Sequence, residues 1–181
     1  MALWPWYAGQ TVPNRVIAML GSGGAVSINN GAGNTDVVVD VGGWYTDGSD
    51  ANATGGQFTG LAPDRILDTR TGNGGVPIAP LRANSTLLFS VAGRGGVPLV
   101  GSSAPATAVI VNMTVTNTTA NGHLIVYPSD ASQPIASDLN WAPGQTVPNL
   151  VVVKLSADGK IAIYNGFGST DVIVDVLGYI T

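Results

Sequence analysis

The sequence predicts an all-β chain, an antiparallel β-sandwich of Greek-key or jelly-roll-like type, with a β-barrel as the alternative. Three observations carry that prediction. Short apolar runs alternate with polar residues at a period of two, the spacing of a half-buried strand. Gly, Pro and Asn punctuate these runs, with 25 Gly and 11 Pro in 181 residues. Helical spacing with recognisable caps is missing throughout.

The clearest strand is Val109–Thr116. Val109, Val111, Met113 and Val115 fall on one face, and Asn112, Thr114 and Thr116 on the other. Asn121-Gly122 then predicts a two-residue hairpin into a strand from His123 to Tyr127, because Asn-Gly tolerates the positive φ of such turns. A second hairpin is expected from Val151–Leu155 through Asp158-Gly159 to Ile161–Tyr164. Val172, Val174 and Val176 share one face of a last strand. The second hairpin has a counterpart expected from Val16–Leu20 through Gly23-Gly24 to Val26–Asn29. Val37, Val39 and Val41 share a face like Val172, Val174 and Val176. Arg65–Thr69 and Leu87–Val91 complete the set.

A repeat organises the chain. GQTVPN occurs at Gly9–Asn14 and again at Gly144–Asn149, an offset of 135 residues. At that offset the two copies align without a gap from Trp6/Trp141 to Thr46/Thr181, with 22 identities in 41 positions. Such a match marks a duplication, so both copies should share one backbone. A weaker echo at 106–128 reflects only a shared strand–turn–strand pattern. The expected organisation is three parts. Residues 1–46 are the last third of a preceding repeat, docked as a half-module. Residues 47–60 are a linker rich in Gly, Ser and Asn, and 61–181 are a complete module.

Composition removes several function classes. Only 10% of residues are charged, all 11 acids are Asp, and the net charge is −4. A nucleic-acid binder would carry a basic balance. No run of about 18 apolar residues is present, so no membrane insertion is expected. There is no Cys, hence no thiolate metal site. The amino terminus MALWPWYAGQ has no basic start or long apolar stretch of a signal peptide. A cytosolic chain or a piece of a longer protein would both account for that. The low charge and the Thr, Asn, Ser and Gly richness favour an extracellular or cell-surface setting.

Several motifs together resemble a family of secreted β-rich modules of actinobacterial surface and cell-wall-associated proteins. They are PDRILDTRTG (63–72), AGRGGVP (92–98), AVIVNMTVT (108–116), GHLIVYPS (122–129), GQTVPN (144–149) and TDVIVDVLGY (170–179). The resemblance covers 61–181 and, as the tail of a preceding copy, 6–46. It implies a non-catalytic module that occurs in tandem or attached to hydrolases, and it brings no catalytic residues.

Candidate chemistry is thin. Asp64, Arg65, Asp68 and Arg70 are the densest charge cluster. On an extended strand Asp64 and Asp68 stand about 13 Å apart, too far to flank a glycosidic bond, where about 5–9.5 Å is required. They are expected to form a structural polar cluster. Asp36 with Asp40, and Asp171 with Asp175, have the same wide spacing and lack the consecutive odd-position acids of a calcium loop. His123 is the sole His, with no nucleophile elbow. The glycine runs at 21–24 and 93–96 lack the Lys-Ser or Lys-Thr of a phosphate loop. No catalytic site, metal or cofactor is expected. The aromatic set Trp4, Trp6, Tyr7, Trp44 and Trp141 offers ring platforms for sugars, or packing.

The leading expectation is therefore a structural or adhesive repeat unit of a surface or secreted protein. Its partner would be a further copy of itself, in a homo-oligomer or polymer, or another surface protein. The alternative is a carbohydrate- or cell-wall-binding module, with polysaccharide as the ligand.

Overall fold

The structure, a computed structural model, describes residues 8–44 and 56–181. Eight strands form the described fold: β1 (Phe58–Asp68), β2 (Ser85–Ser90), β3 (Ala108–Thr116), β4 (Gly122–Pro128), β5 (Leu139–Trp141), β6 (Val147–Lys154), β7 (Lys160–Asn165) and β8 (Asp171–Ile180). They make two antiparallel four-stranded sheets, ordered β1-β8-β3-β6 and β2-β7-β4-β5. One core joins the two inner faces, as in a β-sandwich.

The alternation read from β3 holds. Val109, Val111, Met113 and Val115 are fully buried, and so are Val172, Val174 and Val176 beside them on β8. Opposite them in the core stand Phe89 of β2, Leu124 of β4, and Ile161 and Ile163 of β7. Each sheet contributes its period-two apolar set, and the sets meet across the sandwich.

Both expected hairpins are corrected. β3 lies in the first sheet and β4 in the second, so Asn121-Gly122 does not join a ladder pair. The positive φ falls instead at Asn117 (54°). β6 and β7 are likewise divided between the sheets, although Gly159 (φ 75°) makes the tight turn expected there. The physical reason is that a tight turn brings two strands close without fixing which edges they hydrogen-bond. Six of the seven connections cross from one sheet to the other, and only β4–β5 stays within a sheet. The module also starts earlier than expected, because β1 begins at Phe58 inside the region read as linker. Gly178 shows why this pairing is close. A Cβ there would stand 2.7 Å from the Thr59 carbonyl oxygen, as well as striking the Phe58 ring.

The strands expected in the first copy (Val16–Leu20, Val26–Asn29 and the valine run at 37–41) do not form. None of the described residues 8–44 is in a strand, because each matching strand of the second copy pairs only with β1–β4. Yet their turns reproduce those of the second copy. Gly21 N–H donates to Ala25 O at 2.9 Å, as Ser156 N–H does to Lys160 O at 3.0 Å. Asn30 Nδ2 donates to Gly33 O at 2.8 Å, matching Asn165 to Gly168 at 3.1 Å. Paired glycines keep nearly the same φ: 80° and 77° at Gly9 and Gly144, 73° and 75° at Gly24 and Gly159, 68° and 62° at Gly33 and Gly168. These turn bonds and glycine conformations are shared, although Gly23 takes a positive φ (80°) that its mate Asp158 does not, and the long-range pairing differs.

That difference predicts opposite responses at equivalent positions. Val174→Ala should cost about 1–3 kcal/mol in urea unfolding, the range for losing buried methyls. Val39→Ala, its repeat mate, should stay within about 0.5 kcal/mol, as surface changes do.

Candidate functional site

The charge cluster folds into a compact turn after β1. Asp68 N–H donates to Asn73 O at 3.2 Å, while the Asp68 carbonyl accepts from Gly72 N–H at 2.9 Å. Its carboxylate accepts from Arg70 Nε (2.9 Å) and Nη2 (2.7 Å), a bidentate pair, and from the Arg70 backbone N–H at 3.0 Å. Arg65 pairs in the same two-pronged way with Asp175 on β8, at 2.8 and 3.3 Å. It also approaches Asp68 at 3.6 Å. The structure therefore brings Arg65, Asp68 and Arg70 together with Asp175. Asp64 has no part in these ion pairs and faces the Gly95 turn.

A second element of this seam escaped the sequence. Asp171 is buried, accepting from Thr69 Oγ1 and Asn117 Nδ2, each at 2.8 Å. Thr69 Oγ1 in turn accepts from Val172 N–H at 3.0 Å. Two Asp residues of β8 thus fasten the first strand through Thr69 and Arg65. Thr69 stands 102 residues from Asp171, so no local pattern in the chain signals the contact.

The aromatic set divides. Trp4, Trp6 and Tyr7 lie outside the described residues. Trp141 is corrected as a candidate platform: it is 6% exposed and lies against Gly122, whose missing side chain leaves room for the indole. Its position at the end of β5 turns the ring into the core. Trp44 is 69% exposed. His123 packs against Tyr164 and Phe167, with ring centroids 6.2 and 5.7 Å away.

The duplicated segment meets the module at one cleft of about 170 Å3. Arg15 reaches across it, donating from Nη2 to Asp138 Oδ1 and from Nε to Leu150 O, both at 3.3 Å. Asp40, Val41 and Gly42 line the same cleft. Asp138 also accepts from Val126 N–H at 2.8 Å. Burial raises the Asp138 carboxyl above its ordinary range, and the Val126 N–H and Arg15 pull it back. The valine run of the segment is open. Val37, Val39 and Val41 are 56%, 64% and 86% exposed, whereas Val172, Val174 and Val176 are at 0%.

Among the described residues, no group of three or more His, Cys, Asp or Glu is placed to hold a metal ion. No helix there is long and apolar enough to cross a membrane. Comparison with protein-family models and with curated proteins gave no match.

Two pH responses follow. The Arg70 side chain holds Asp68 below the usual carboxylate range. The stability Asp68 supplies is thus complete above about pH 3.9, the ordinary Asp value, and is lost as pH falls through the lower folded value. Asp68→Asn should remove that acid-side component and cost about 1.5–3 kcal/mol at pH 7, measured by urea unfolding across pH. Asp138 has the opposite sign: its burial weighs against folding at high pH and is relieved as pH falls below its raised folded value. Arg15→Ala should raise the Asp138 value further in a carboxyl-carbon NMR titration. No movement would mean that Arg15 does not occupy the cleft in solution.

Proposed function

We propose that the chain is a non-catalytic structural and adhesive repeat unit of an extracellular surface or secreted protein, linking to neighbouring copies through its duplicated segment. The observation that carries this reading is the open valine face of residues 37–41, whose mates Val172, Val174 and Val176 are fully buried. An exposed, β-prone apolar ribbon is what a second chain can pair with. The contact is heterologous, one end of a unit against another part of the next, and such contacts propagate into rows rather than closing as dimers do. The resemblance to tandem surface modules supports the same reading. So does the ion-paired seam, where each charge is matched by a structural partner rather than aimed into a pocket.

A carbohydrate-binding role is the second reading. It is favoured by Trp44, whose exposed indole could stack on a sugar ring.

Light scattering over a concentration series tests the first reading. The chain should associate as concentration rises, and the Val37→Asp/Val39→Asp double variant should remain at 18.3 kDa. A chain that stays monomeric at every concentration would overturn it. Polysaccharide pull-down that is lost in Trp44→Ala would move the second reading ahead.

A further inference from the structure

We propose that the two copies, 12–45 and 147–180, compete within one chain for a single acceptor formed by β1–β5. Either copy can complete the sandwich, and the structure captures the C-terminal copy in place. The inference rests on the duplication and the strand pairing, and it holds whether or not the chain serves as an adhesive unit.

The pairing pattern makes the argument. β6 pairs only with β3, β7 with β2 and β4, and β8 with β1 and β3. None of the three pairs with another of the three. A free copy therefore has no ladder partner of its own, in keeping with the lack of strands in 8–44. Its partner is defined strand by strand: within the β1–β5 acceptor, β1 to β4 in this arrangement.

The N-terminal copy fits that set. Thirteen non-glycine residues of 147–181 are buried. Eight have an identical mate in the first copy: Val16, Ile28, Asn30, Thr35, Asp36, Val37, Val39 and Val41. Four more become smaller: Val153 to Ala18, Ser156 to Gly21, Ile161 to Val26 and Ile173 to Val38. The last, Ala162 to Ser27, adds a single hydroxyl. Overpacking is thus nearly absent, while small cavities explain why the C-terminal copy holds the site. The polar fastenings carry over as well. Asp36 would take the Thr69 and Asn117 bonds of Asp171, and Asp40 would take the Arg65 pair of Asp175.

Connectivity allows the exchange within one chain. Thr181 N–H donates to Gln57 O at 3.2 Å, so the end of β8 adjoins the start of β1. Thr46 is the repeat mate of Thr181, and ten residues (47–56) separate it from Gln57. A linker of that length spans up to about 33 Å and need bridge only neighbouring residues. This tether gives the N-terminal copy a high effective concentration at its own acceptor.

Limited proteolysis mapped by mass spectrometry, with light scattering on the same samples, tests the proposal. Wild type should be cut in 12–45 and protected in 147–180. Val172→Asp/Val174→Asp should stay folded and monomeric with the pattern inverted. Adding Val37→Asp/Val39→Asp to it should abolish folding, while that pair alone should leave the module intact. An unfolded Val172→Asp/Val174→Asp chain, or one protected only as a dimer, would overturn the proposal. A second variant needs no loss of fold: Ala18→Val/Val26→Ile/Val38→Ile fills the expected cavities. It should shift protection toward 12–45 by severalfold, and an unchanged pattern would also overturn the idea.

Discussion

The constraint on which the structure depends is the division of consecutive strands between two sheets. Six of seven connections cross the sandwich, so almost every ladder joins segments far apart in the chain. β1 begins the module and pairs with β8 at its end. Such a fold gains little from any local piece, because loop closure precedes the contacts that reward it. The duplicated segment makes this visible within one chain. Its turns form from local hydrogen bonds and positive-φ glycines, while none of its described residues is in a strand.

The polar seam reinforces the same closure. With so few charged residues, the described chain has few ion pairs, and both two-pronged Arg–Asp pairs lie in or beside the β1–β8 seam. Arg65 spans to Asp175, and Thr69 spans to Asp171. Burying Asp171 would be unfavourable without those donors. With them, the bonds are satisfied only when β8 lies in its native register, since a shift of one residue would send both carboxylates to the valine face. The seam therefore selects the register as well as joining the strands.

Much of this was legible in the residues, and the limits have physical causes. Alternation in β3 and β8 identified their buried faces, because period two is a local property of one strand. The repeat was legible for the same reason, as identity at a fixed offset. Sheet membership was not, since Asp158-Gly159 announces a tight turn but is silent on which edges its flanks join. β5 has three residues, too few for any period to show. The bidentate Asp68–Arg70 pair lay close in sequence and was readable as structural. Packing was one of the two readings open for Trp141, but the burial of Asp171 was not legible, because Thr69 and Asn117 reach it only through the finished fold.

The duplicated Asp pairs tie these threads together. Asp36 and Asp40 flank the Val37–Val39 run, and an apolar, uncharged run of this kind is prone to cross-β stacking when exposed. Flanking carboxylates restrain that stacking by repulsion and by their hydration. In the seated copy the same two positions serve the opposite end. Asp171 exchanges water for Thr69 and Asn117, and Asp175 for Arg65. A residue fit for only one of these states would harm the other: an apolar residue would leave Thr69, Asn117 and Arg65 short of an acceptor, and Lys would repel Arg65. A short carboxylate satisfies both, which accounts for the same DVxVDV pattern in a copy that is open and a copy that is buried.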